Sequence, residues 1–127
     1  MTTTTLTAGR IDVAGVPTAL IDTGAPAGVP AGRQAPPVLL LLHGSGPGVT
    51  ATANWRPVIP ALSQDRRVIA PDQLGFGGTA TGEQRTYGRA AWTEHALALL
   101  DTLGTGPVDI IGNSMGGAVA ARIVFHE

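Results

Sequence analysis

The hydrophobic pattern begins as strands alone and then becomes strands alternating with helices. Leu6 to Val13 and Val16 to Asp22 read as two short strands joined at Gly15, a hairpin. Residues 24–37, rich in Pro, Gly and Ala, cannot hold regular structure, and the sequence predicts a mobile, dispensable surface loop there. Val38 to Leu42 is an unbroken apolar run between Pro37 and Gly44, as expected of a strand buried on both faces. A glycine-rich loop, His43 to Gly48, follows it. Asn54 to Leu62 then predicts a short helix, kept brief by Pro57 and Pro60. Arg67 to Ala70 is another short strand, closed by Pro71-Asp72 and the turn Gly75 to Gly78. From Tyr87 to Leu103 the residues Trp92, His95, Ala96, Leu99, Leu100 and Leu103 form one helical stripe, which Gly104 stops. Val108 to Ile111 is the fifth strand, and Met115 to Phe125 resumes helix. Strands followed by strand–helix alternation predict an α/β sheet.

Composition narrows the function classes. The 127 residues suit one domain, and 43% hydrophobic against 13% charged residues implies a buried core. The formal charge is −1, with arginines spread singly and no lysine, which argues against a nucleic-acid face. Without cysteine there are no disulfides or thiolate metal sites. No signal-peptide pattern opens the chain, and its longest apolar run is too short to span a bilayer. These features predict a cytoplasmic protein that does not engage membranes.

The chemistry concentrates at Gly112-Asn113-Ser114-Met115-Gly116. G-x-S-x-G is a weak pattern alone, but here a buried strand ends at Ile111 and a helix starts at Met115. That strand-turn-helix setting makes the pattern a nucleophile elbow, with Ser114 on a strained turn above the sheet. Gly112 and Gly116 are expected to be side-chain-free because strand and helix crowd there, with Gly117 giving extra room. The helix aims N–H groups at Ser114 and favours negative charge beside it. The competing reading is Ser114 as a plain helix N-cap, which would not need flanking glycines.

An oxyanion hole in such a fold takes one N–H from the residue after the nucleophile and one from the loop after the third strand. Met115 supplies the first, and Ser45, within His43-Gly44-Ser45-Gly46-Pro47-Gly48, the second. The sequence argues against a phosphate-binding loop: there is no lysine, and Val49 stands where a dinucleotide fingerprint needs its last glycine.

With both motifs placed, the chain resembles the meta-cleavage-product hydrolases of the 2-hydroxymuconic semialdehyde type. The matching stretches are Leu42 to Thr50, Asn54 to Pro57, Arg67 to Asp72, Gly75 to Gly77 and Gly112 to Gly117. The resemblance implies an α/β-hydrolase core of about five mostly parallel strands with helices on both faces. It implies hydrolysis of a carbon–carbon bond in a 2-hydroxy-6-oxo-dienoate, a ring-cleavage product of aromatic catabolism, without metal or organic cofactor. Ser114 would attack the ketone, the Ser45 and Met115 amides would hold the oxyanion, and Gly44, Gly46, Asn54 and Asn113 would line the substrate. A serine at this position argues against dehalogenases and epoxide hydrolases, which use aspartate.

The partners of a serine nucleophile are not evident. In this fold an acid and then a histidine follow the serine, yet only His126 and Glu127 do so, in the wrong order. His126 would lie about 17 Å away along the helix. His43 is read as support for the glycine loop, His95 as a satisfied core or boundary histidine, and Asp72 as a structural turn residue. Later strands and lid have no counterpart. The expectation is an N-terminal portion of a hydrolase, nearly inactive alone, whose fifth strand is an exposed edge; homo-oligomer formation is left open. Two alternatives stand beside it: another serine hydrolase such as an esterase or cofactor-free haloperoxidase-like enzyme, and a non-catalytic binding protein.

Overall fold

The computed structural model describes residues 8–26, 28–29, 32–79 and 88–126. Strands β1 (Ala8–Val13) and β2 (Val16–Asp22) form the expected antiparallel hairpin, with Val13 opposite Val16. Ala14 and Gly15 between them both have positive φ, +49° and +85°, the type I′ geometry that matches strand twist. Leu6, Thr7 and Tyr87, which the sequence assigns to regular elements, lie outside the described residues.

β3 (Val38–Leu42), β4 (Val68–Pro71) and β5 (Val108–Gly112) complete one sheet of order β1-β2-β4-β3-β5. β4 and β5 both pair with β3 in parallel, while β2 meets β4 antiparallel. Only β2 runs against the other four strands, and the sheet is mixed.

The unbroken apolar run of β3 is explained by burial on both faces. Leu40 and Leu42 pack with Ile69 against Ala96, Leu99, Val119 and Ile123. Leu39 and Leu41 turn the other way, onto Val68, Ala70, Ala51 and Ile59. The first set brings in helices α3 (Arg89–Leu103) and α4 (Met115–His126); the second brings in α1 (Ala51–Trp55) and α2 (Ile59–Leu62). Burying each such side chain contributes about 1.5–3 kcal/mol.

The single helix expected over residues 54–62 is two. Thr50 caps α1, its side chain accepting from Ala53 N–H at 3.0 Å, so that helix starts three residues early. Pro57 then cannot supply a donor, and α2 restarts with Pro60 in its first turn. The stripe on α3 faces the core, and Gly104, at φ +61°, ends that helix by donating to Leu100 O. The described part of the 24–37 loop has no regular structure, but Gly28 N–H donates to Gln64 O at 3.0 Å and anchors it.

β5 lies at the end of the strand order, as expected, and Ile111 on it is 43% exposed. Asp109 on the same strand pairs with Arg66 at 2.6 Å. Nearby on α4, Val124 and Phe125 are exposed.

Candidate active site

The C-terminal ends of β3 and β5 lie side by side, with Leu42 opposite Gly112. The crevice beyond the carboxyl ends of the strands is where open α/β sheets bind ligands. Two loops leave from there: residues 43–50 after β3, and Asn113-Ser114 between β5 and α4.

Ser114 has φ +55°, in the left-handed region, which costs a residue bearing a Cβ about 1–2 kcal/mol. A capping serine has extended backbone. Thr50 shows that geometry, with φ −140° and ψ 169°. Ser114 is therefore not an ordinary cap; it is the exposed residue at which the chain reverses.

The reversal needs glycine on both sides. A Cβ on Gly112 would overlap the Gly116 carbonyl, and one on Gly116 would overlap the Leu42 carbonyl. A Cβ on Gly117 would meet nothing nearer than Gly112 O at 3.4 Å, so the extra room expected of Gly117 is not a steric requirement. Gly116 N–H donates back to Asn113 O at 2.9 Å. Among the described residues, neither Met115 N–H nor Ser45 N–H has a protein acceptor.

The β3 loop is built against this turn. A Cβ on Gly44 would stand 3.2 Å from Asn113 O and 3.5 Å from Ser114 Cβ. Asn54 on α1 joins the two loops: its Oδ1 accepts from Gly44 N–H at 3.0 Å and from Asn113 Nδ2–H at 2.9 Å. The acceptor capacity of that oxygen is thereby filled. Asn54 Nδ2, the second N–H of Asn113 Nδ2 and Asn113 Oδ1 are left without a protein partner among the described residues. Ser45 and Gly46 are exposed at the loop tip, where Val49 N–H donates to Gly46 O at 3.2 Å.

His43 is fully buried beneath the loop, with Phe76 edge-on at 5.0 Å. Its Nδ1 lies 2.7 Å from Gly44 O, and its Nε2 accepts from Gln73 N–H at 3.0 Å. The Gln73 side chain adds a bond from Nε2–H to His43 O at 2.8 Å. Burial pushes the His43 pKa down, outweighing the Gly44 bond and the Asp72 charge, which both raise it. With both ring nitrogens engaged, this neutral imidazole supports the loop, as the sequence suggested.

A family profile described as the alpha/beta hydrolase fold matches residues 37–124. The chain belongs to the alpha/beta hydrolase fold family. It is 48% identical, over 93% of its length, to the 2-hydroxymuconate semialdehyde hydrolase of Pseudomonas sp. (strain CF600). It is 47% identical, over 99% of its length, to the 2-hydroxy-6-oxo-2,4-heptadienoate hydrolase of Pseudomonas putida. It spans 38% of the first of these relatives and 42% of the second. Among solved structures it superposes on 2-hydroxy-6-oxo-6-phenylhexa-2,4-dienoate hydrolase from Rhodococcus sp. strain RHA1 with a TM-score of 0.82 and 33% identity, covering 98% of this chain and 43% of that one. A meta-cleavage product hydrolase from Pseudomonas fluorescens IP01 gives 0.81 and 39%, covering 93% and 40%.

Within this alpha/beta hydrolase fold the other titratable candidates stand apart from Ser114. His95 is buried, with Nε2 2.9 Å from Thr18 Oγ1, whose hydroxyl donates to Val16 O at 3.0 Å. Asp72 accepts from Ala51 N–H at 2.7 Å and from Gly78 N–H at 2.9 Å, a structural role. α4 carries its backbone from Met115 to His126, so His126 is at the far end of the helix. Among the described residues no histidine hydrogen-bonds Ser114. Sequence reasoning missed Gln73, which lies 30 positions from His43 in no motif. Its only signal is a polar residue two positions past the end of a buried strand.

Proposed function

We propose that this chain carries the nucleophile half of a serine-type hydrolase that cleaves carbon–carbon bonds in 2-hydroxy-6-oxo-dienoates. The observation that supports it best is Ser114, held at φ +55° between Gly112 and Gly116, whose added side chains would overlap backbone. Strain of this kind persists where it positions a reacting group. The relatives named for such dienoates are identical to the chain at nearly half of the aligned positions.

In this reading the dienol first tautomerises to its keto form, after which Ser114 Oγ adds to the ketone carbon and gives up its proton to a base. The Ser45 and Met115 N–H groups receive the negative oxygen. The carbon–carbon bond then breaks, the dienoate fragment takes up a proton, and water releases the acyl group from Ser114 as a carboxylic acid. Gly44, Gly46, Asn54 and Asn113 line the substrate's polar end. Carbonyl addition and proton transfer need neither metal nor organic cofactor, and the reading assigns the reaction to the cytoplasm, in keeping with a chain that has no cysteine.

Base and acid are assigned to polypeptide outside these 127 residues, so the chain alone turns substrate over little or not at all. The test follows dienoate absorbance. A longer polypeptide containing these residues, an acid and a histidine should turn over, and Ser114→Ala within it should lose nearly all activity. Ordinary turnover by the 127-residue chain, or an active Ser114→Ala variant, would overturn the reading.

A further inference from the structure

We propose that His43 is a positioning residue for the Ser45 amide: its Nδ1–H tautomer, imposed by the main-chain N–H of Gln73, holds the Gly44 carbonyl and so aims the next N–H. The inference rests on the reading of Ser45 as an oxyanion donor. It adds a cause for that donor's direction.

The tautomer follows from what each neighbour can do. A main-chain N–H only donates, so His43 Nε2, 3.0 Å from Gln73 N, carries no proton. A carbonyl only accepts, so His43 Nδ1, 2.7 Å from Gly44 O, carries one. A second proton on the ring would set two donors face to face in a fully buried place.

The direction follows from peptide geometry. In a planar trans peptide the C=O and N–H point opposite ways. While Gly44 O is held on the His43 side, Ser45 N–H faces the opposite side of that peptide. The preceding peptide is fixed at both ends as well: His43 O accepts from Gln73 Nε2–H at 2.8 Å, and Gly44 N–H donates to Asn54 at 3.0 Å. Glycine has little backbone preference of its own, so at Gly44 these outside bonds set the conformation.

The test uses the 127-residue chain labelled with 15N and 13C, and its readout does not require turnover. The His43 ring should show a protonated Nδ1 and a bare Nε2. His43→Leu should shift the Gly44 carbonyl-carbon and Ser45 amide-nitrogen resonances. His43→Asn, whose Nδ2–H can replace the Nδ1–H donor, should keep both near their original positions. The opposite tautomer, or an Asn variant displaced from wild type as far as expected for Leu, would overturn the proposal, the latter even if the Leu variant fails to fold. If the resonances behave as stated but Ser45 holds no oxyanion in the active longer polypeptide, the functional reading of Ser45 fails and the positioning stands.

Discussion

The α-carbon of Gly116 faces the carbonyl oxygen of Leu42 so closely that no side chain fits between them. Helix α4 can therefore start directly above β3, which sets Ser114 beside the loop carrying Gly44. Gly116→Ala should destabilise the chain by about 3 kcal/mol, because backbone rather than a flexible side chain must move. Gly117→Ala should stay within about 0.5 kcal/mol, the range of a substitution that creates no clash. Urea unfolding of the two variants checks the contrast.

Ser114→Gly should raise stability by about 1 kcal/mol, since glycine adopts positive φ without the Cβ penalty. Ser114→Ala keeps the penalty and should unfold near the wild-type midpoint. Equal midpoints for the two variants would show that the turn is not strained.

How far the sequence reaches depends on whether a feature is local. The nucleophile turn was legible because its steric demand falls on residues two before and two after Ser114, where glycine stands. β3 was legible because burial on both faces leaves an uninterrupted apolar run. The break between α1 and α2 was only half legible: two prolines signalled a short helix, but the cap at Thr50 moved its start. The clasp of Gln73 on His43, the bridge from Asn54 to Asn113 and the anchor of Gly28 on Gln64 join residues 30, 59 and 36 positions apart. No periodicity encodes such pairs; they arise only from the packing of elements distant in the chain around one sheet.

His43 predicts a pH dependence. Burial holds its folded-state pKa below the ordinary 6.5, against the opposing pull of Gly44 O and the Asp72 charge, with Phe76 adding no charge. The unfolded chain then binds more protons between the two values, so stability falls as pH drops from 6.5 through the folded pKa. Above 6.5 the contribution is fully present. The urea midpoint of wild type should decline over that interval, and that of His43→Asn should decline less.

Asn54→Leu should cost about 1–3 kcal/mol, because it leaves the buried Gly44 N–H without its acceptor. Thermal unfolding gives the loss, and the Gly44 amide should exchange faster with solvent.

A second pH effect sits at the opposite end of the strands. Arg67 donates to both oxygens of Asp22, at 2.9 and 2.6 Å, and both side chains are half-buried. The Arg67 hydrogen bonds, with help from Gly24 N–H, hold the Asp22 carboxyl below 3.8 despite desolvation. The stabilisation is complete above 3.8 and is lost as pH falls through the lowered folded value. Asp22→Asn should cost about 1 kcal/mol at neutral pH and flatten the acid limb of the stability curve.

The bridge between Asn54 and Asn113 also gives the crevice a polarity. With Asn54 Oδ1 occupied by two donors, Asn113 Oδ1 is the one amide oxygen left to the pair, beside N–H donors on both residues. An oxygen can be met by an N–H of either amide, whereas a hydroxyl proton can go only to Asn113 Oδ1. Two ordinary amides, by committing one oxygen to their own bridge, leave a rim that has N–H groups on both sides and a carbonyl on one.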